Sequence, residues 1–387
     1  MAPSVLRTMN QRLLLDLLFS SGPVTRPQLA KLSGLSQPTV IAALADLEDA
    51  GLVKAVGHAR TAPGRAPMVY EVDPTVGAVI AVDIGREWLR LLVTDLAANR
   101  LCQLDRRNTA KDPDEMMDAV VQLVRQGTEK ASLAPDVITH TVVGSPGVYT
   151  ADSQQLRFAV NLPGWGRLAV TAALRERLDG ELTVDNDANL AALGEYTYGA
   201  ARSTRQFVYL TIGTGVGIGI VLDGRVYRGS TGSAGEVRYL PVGDKPPGPR
   251  GDGPPRGMLE ESFGASALVR RASAAGMTGP VDAAGIFAAA RAGDERAMEV
   301  VLAEGRSLAY VVASICAMLD PELIVVGGGI GQNLDLLTIG MDQELENLIP
   351  ARPAMKVGDL GRDAVVFGAV ALGVERAKEA VFTARTE

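Results

Sequence analysis

Apolar positions recur at helical spacing at the start of the chain. Leu6, Met9, Leu13, Leu14, Leu17 and Leu18 predict a first amphipathic helix, ended by Gly22-Pro23. Thr25 caps a second helix, with Gln28 three residues on as its reciprocal partner. That helix turns Leu29, Ala30 and Leu32 inward and stops at Gly34. Ser36 caps a third helix with Pro38 in its first turn, where the missing N–H costs nothing. Its predicted buried stripe is Val40, Ile41, Leu44 and Leu47. A strand starting at Leu52-Val53, a polar Gly/Pro-rich stretch from Gly57 to Pro67, and the alternation Met68, Tyr70, Val72 predict a hairpin. Three helices and a hairpin in this order make a winged helix-turn-helix over residues 1–74, whose third helix enters a major groove.

From about residue 75 the period alternates between two and 3.6. Strands are predicted at 79–85, 89–95, 101–107, 139–143, 182–184, twice within 207–222, and at 322–326. Helices are predicted at 114–132, 168–178, 260–275, 282–291, 295–319 and 366–381. Strands that run into carboxylates and glycines, repeated over two halves, make a mixed α/β body with a cleft between lobes. The first lobe is placed at 75–186, completed by a C-terminal helix at about 366–387. The second lobe, with the ligand cleft and an oligomerisation surface, is placed at 187–365.

Composition narrows the chemistry. The 387 residues are 47% hydrophobic and 21% charged, ordinary globular usage. Glycine, 43 of 387, exceeds the usual ~7%. Two cysteines, Cys102 and Cys316, exclude a disulfide framework and a multi-cysteine zinc site. The net charge of −7 argues against a polycation for nucleic acid or membrane as a whole. The head differs: up to Arg65 it has seven basic against four acidic residues. No signal-peptide pattern and no run of 18 apolar residues occur, so a cytoplasmic protein with no membrane contact is expected.

Candidate DNA contacts are Ser36, Gln37, Pro38 and Thr39 at the start of the third helix, with Arg60 and Arg65 in the wing. A Gln amide can bond an adenine in two places, and the arginines can reach phosphate or a minor groove. A three-helix protein-interaction module is the blander reading of the same segment. His58 and His140 are isolated, and no chemistry is assigned to them.

Six segments carry a resemblance. Asp83-Ile84-Gly85, Asn161-Leu162-Pro163-Gly164-Trp165, Asp185-Asn186-Asp187-Ala188-Asn189, Thr211-Ile212-Gly213-Thr214-Gly215-Val216-Gly217, Ala234-Gly235-Glu236 and Gly327-Gly328-Gly329 resemble, in order, the ROK family (repressor, open reading frame, kinase). The resemblance covers about residues 75–380, and the appended head resembles the family's regulator branch. It implies the actin-like, ribonuclease-H-like ATPase fold, and a function as either sugar kinase or sugar-responsive repressor.

Departures from the family pattern choose between those branches. The family's first phosphate hairpin reads Asp-x-Gly-Gly-Thr; here Arg86 and Glu87 replace the second glycine and the threonine. A carboxylate beside a γ-phosphate costs on the order of 1–4 kcal/mol at 4 Å. Asp187 matches the family's general base but can equally hydrogen-bond a sugar hydroxyl in a sensor. The expectation is no catalysis and no ATP requirement.

Sugar contacts implied by the resemblance are Asn161, Asn186, Asp187, Glu236 and Glu260, joined by Tyr239. In the family motif Ala-Gly-Glu-x-Gly-His the histidine binds sugar and ligates zinc; here the stretch reads Ala234-Gly235-Glu236-Val237-Arg238-Tyr239. The family's cysteine cluster is matched only by Gly253 to Glu260, with no cysteine, so no zinc is expected. Simpler roles stand beside these. Asn161 to Trp165 could be a turn with a packed Trp, and Asn186 and Asp187 could cap a helix starting near Ala188. Glu236 and Glu260 could be surface acids. Gly327 to Gly329 reads better as a strand-to-helix turn without nucleotide.

The expected function is a DNA-binding transcriptional repressor, homo-oligomeric on a double-stranded operator, with a body that senses a sugar or related effector. The alternatives are an active sugar kinase with a regulatory head and a ligand-independent DNA-binding dimer.

Overall fold

The computed structural model describes residues 3–58, 66–150, 155–157, 162, 165, 170–242, 257–278 and 282–386. Its head comprises α1 (Pro3–Ser21), β1 (Val24–Thr25), α2 (Arg26–Ser33), α3 (Gln37–Asp49), β2 (Val53–His58) and β3 (Met68–Val72). The strands pair in the order β1-β3-β2. The turn between α2 and α3 forms as its residues require. Gln28 Oε1 accepts from the Thr25 N–H at 2.8 Å, Gly34 ends α2 at φ +70°, and Ser36 caps α3.

Five apolar positions of the predicted helix faces, Leu6, Met9, Leu13, Leu32 and Ile41, are exposed. Residues 5–9 of α1 are exposed, so Leu6 and Met9 face solvent; the core takes Leu14, Leu15 and Leu18 from the later turns. Leu32 is 53% exposed at the end of α2. Ile41 is 46% exposed, because it lies about 100° around the helix from Val40, and the stripe Val40, Ala43, Leu44 and Leu47 already fills the inner face.

The first lobe contains β4 (Ala78–Ile84), β5 (Trp88–Asp95), β6 (Arg100–Arg107), α4 (Pro113–Lys130), β7 (Ile138–Ser145), β8 (Val148–Thr150), β9 (Gln155–Arg157), α5 (Val170–Arg175) and β10 (Glu181–Asn186). Among the described residues its main sheet runs β10-β7-β4-β5-β6, parallel between β10, β7 and β4 and antiparallel beyond. Strand β4 is buried along its whole length, as a run of Ala, Val and Ile in a covered sheet should be.

The second lobe follows from α6 (Asp187–Tyr198): β11 (Phe207–Ile212), β12 (Val216–Leu222), β13 (Arg225–Val226), α7 (Met258–Ser262), α8 (Ala265–Ala274), α9 (Ala283–Arg291), α10 (Glu295–Leu319), β14 (Leu323–Gly327), α11 (Gly328–Gly331), α12 (Leu334–Leu348) and β15 (Ala354–Val357). Its sheet runs β13-β12-β11-β14-β15. By length and composition α10 could cross a membrane, but its Leu308, Val311, Val312 and Ile315 are buried in this lobe's core.

The last helix, α13 (Ala364–Thr386), returns to the first lobe. It packs on β4, β5 and β7 and along α6. Small residues permit the close approach: a Cβ on Gly368 would lie 1.7 Å from the Leu190 carbonyl oxygen. The far end of α13 enters the head's core, where Val381 and Phe382 join Leu14, Leu15 and Leu18. Burying one such side chain contributes roughly 1.5–3 kcal/mol. Arg12 pairs with Glu379, and Lys378 Nζ lies 3.7 Å from the centroid of the Phe19 ring.

Candidate functional site

The first hairpin, between β4 and β5, is tight: the Gly85 N–H donates to the Trp88 carbonyl at 2.9 Å. Arg86 and Glu87 stand exposed at its tip. Arg90 faces Asp83 across the strand pair, and its Nη1 lies 3.0 Å from Asp83 Oδ2. Burial pushes the Asp83 carboxyl up to about 7; Arg90 opposes that shift, and the charges of Asp187 and Asp363 add to it.

The second hairpin closes with a Gly213 N–H to Gly215 carbonyl bond of 2.9 Å. It faces the first across a cleft of about 1020 Å³, lined also by α8, α9, Gly329 and Asn333. Gly328 takes φ +78° between β14 and α11, which makes the Gly327–Gly329 run a strand-to-helix turn at the cleft wall.

The strand β10 delivers Asn186 and Asp187 to the start of α6. Asn186 is a working cap: its Oδ1 accepts from the N–H groups of Ala188 and Asn189, and its Nδ2 donates to the Gly147 carbonyl at 2.9 Å. Asp187 Oδ1 accepts from the Ala188 N–H at 2.8 Å. Burial raises its pKa against the opposing pull of that bond and of Arg238. Asp185 pairs with Arg228.

Glu236, Arg238 and Glu260 meet, and the charge of Arg238 reaches Asp187. Arg238 Nε lies 2.8 Å from Glu236 Oε2, and its Nη1 lies 4.0 Å from Glu260 Oε1. Burial raises the Glu236 pKa, Arg238 opposes, and Asp187 and Glu260 reinforce. Glu260 is held by α7, so neither glutamate is a surface acid. Tyr239 is partly buried beside Arg238, and burial raises its phenol pKa. Asn161 lies outside the described residues, as do Arg60, Arg65 and the segment 246–255. Trp165 is buried, with its Nε1–H donating to Ser145 Oγ at 3.1 Å.

Two residues that matter were passed over by sequence reasoning. Arg238 was visible in the sequence as a departure from the glycine of Ala-Gly-Glu-x-Gly-His. Arg90 carried no motif signal; only the strand register places it against Asp83.

At the head, Gln37 and Pro38 are exposed at the start of α3. Ser36 Oγ and Thr39 Oγ1 lie 2.8 Å apart within the cap, so both hydroxyls are already engaged. Ile41, Ala42 and Ala45 continue the exposed face. It is an uncharged surface suited to a groove floor, where apolar groups meet thymine methyls.

Comparison with known proteins matches this arrangement. The sequence model of a winged helix-turn-helix DNA-binding domain matches residues 10–54. A xylose repressor of Caldicellulosiruptor bescii is 25% identical over 240 residues, covering 62% of this chain and 60% of that protein. The alignment thus spans about three fifths of this relative's length. A glucokinase of Halalkalibacterium halodurans is 34% identical over 58% of this chain and 73% of its own. A crystal structure of a ROK family transcriptional regulator, described as a homologue of the E. coli MLC protein, superposes with a TM-score of 0.77. That match covers 98% of this chain and 99% of the other at 22% identity, and so speaks to the fold. The ROK family sequence model matches residues 79–376, and the chain belongs to the ROK family.

Proposed function

We propose that this chain is a DNA-binding transcriptional repressor whose kinase-like body senses a sugar or a sugar-derived effector without phosphorylating it. One observation carries the reading. The helix that begins at Asp187 packs along α13, and the end of α13 lies inside the core of the winged head. A ligand that favours one arrangement at Asp187 therefore biases the seat of the DNA-reading domain. By linkage, DNA and effector then change each other's affinity by the same factor. Likeness to proteins named xylose repressors supports the repressor sign and a sugar as effector.

The altered first hairpin supports silence as a kinase. Arg90 occupies the Asp83 carboxylate, and Arg86 and Glu87 stand where the family hairpin has glycine and threonine. The donor set does not suit zinc either. Tyr239 stands at the histidine position, and Cys102 on β6 and Cys316 on α10 belong to other elements. Operator reading by a homo-oligomer in the cytoplasm completes the proposal.

The test begins with an operator selected in vitro from random duplexes. Wild-type protein should shift it in a gel, and a sugar from a pentose and hexose panel should release it. Asp187→Ala should keep the shift and lose the release. Substantial ADP formation with any sugar in a coupled assay would return the kinase reading.

A further inference from the structure

The carboxylates that the resemblance assigns to sugar already hold a guanidinium. Arg238 is 8% exposed, held on the short turn Val237–Tyr239, and lies against two carboxylates that the resemblance assigns to sugar hydroxyls. The backbone that carries it is tightly seated: a Cβ on Gly257 would fall 1.9 Å from the Arg238 carbonyl oxygen. Glu260 is also 8% exposed. Its Oε2 is buried without a hydrogen-bond partner among the described residues, which leaves an acceptor at the site for a donor to fill.

A sugar hydroxyl and a guanidinium make the same demand on a carboxylate: each donates N–H or O–H to its oxygens. Arg presents five such donors in a fixed plane and never loses its charge. The charged donor makes the stronger bond. An uncharged sugar can reach the unpartnered Glu260 Oε2, but to engage Glu236 Oε2 and Glu260 Oε1 it must move Arg238 off them and leave its charge to be satisfied elsewhere. Glycine, the residue of the family motif at this position, imposes no such competition.

We propose that Arg238 is a built-in competitor for these carboxylates, a specificity-determining residue that raises the concentration of uncharged sugar needed to occupy them. This rests on reading the body as a sugar sensor.

The experiment is calorimetry on the full chain, using D-glucose, D-mannose, D-xylose and N-acetyl-D-glucosamine as probes. Wild type is compared with Arg238→Gly and Arg238→Gln, and circular dichroism melting establishes that each is folded. Glutamine retains much of the side-chain bulk without the charge, so it carries the test if glycine loosens the turn. The expected result is at least one sugar binding tenfold or more tightly to a variant than to wild type. If at least one sugar binds wild type and none binds either variant tenfold more tightly, the competitor role is overturned and the sensor reading stands. Absence of heat with all four probes for all three proteins overturns the competitor role and counts against sugar sensing, while the gel shift still tests DNA binding separately.

Discussion

Glu304 is fully buried on α10 and accepts from the Gly264 N–H at 2.7 Å and from Arg271. It fixes the glycine, at φ +91°, that links α7, the carrier of Glu260, to α8. Burial pushes its pKa up to about 7, with the Gly264 bond and Arg271 opposing. A carboxyl raised in the folded state binds more protons there than when unfolded. Its stabilisation is therefore present below the unfolded value of about 4.3 and is lost as pH rises through 7. Glu304→Gln, which stays uncharged, should gain stability relative to wild type between pH 5 and pH 8. The gain is up to about 3 kcal/mol, read by thermal melting at each pH. A constant difference across that range would mean Glu304 ionises freely in the fold. In the head, Gln37→Ala should cost roughly 1–3 kcal/mol at one base position. Ile41→Ala should cost about 1 kcal/mol at a thymine, with little change in Tm because the side chain is exposed. Equal losses across all operator variants would place α3 outside the groove. The caps at Thr25 and Ser36 were readable in the sequence because each depends on neighbours within three residues. The pairing of Arg90 with Asp83 was not, because it depends on which strands become partners.

At the scale of elements, α13 joins α6, the helix that begins at Asp187, to the core of the head. Its apolar period predicted a helix, but its contacts join distant parts of the chain: Arg12 meets Glu379, and Arg385 donates to the Ala50 carbonyl at 3.1 Å. No local pattern announces such pairs. Leu334, Leu337, Met341 and Leu345 make the inner stripe of α12, and only the structure establishes α12 and β15 between Gly329 and the last helix. The exposed ion pair between Arg12 and Glu379 should contribute at most about 1 kcal/mol. Phe382 is 5% exposed within the shared core, and Phe382→Ala should cost about 3–5 kcal/mol. The variant should bind operator below its melting temperature but respond weakly to effector, because the head no longer follows α13. An unchanged ratio of DNA affinity with and without effector would remove α13 from the coupling path.

At the scale of the molecule, the head is one reading unit on a two-lobed body, and one α3 covers one stretch of major groove. In the proposed homo-oligomer two heads would read one symmetric operator, each α3 entering one stretch of major groove. The seat of the head on α13 makes the geometry testable. If the body fixes the spacing of the two heads, half-sites must lie on one face of the duplex, separated by whole helical turns of about 10–10.5 base pairs. Inserting five base pairs between half-sites turns one of them to the opposite face and should weaken binding tenfold or more. Inserting ten restores the face but lengthens the span by about 34 Å, and should recover affinity only as far as the body can stretch. Retained affinity after the five-base-pair insertion would mean that the heads swing freely, and an effector signal carried through α13 could not then set their spacing.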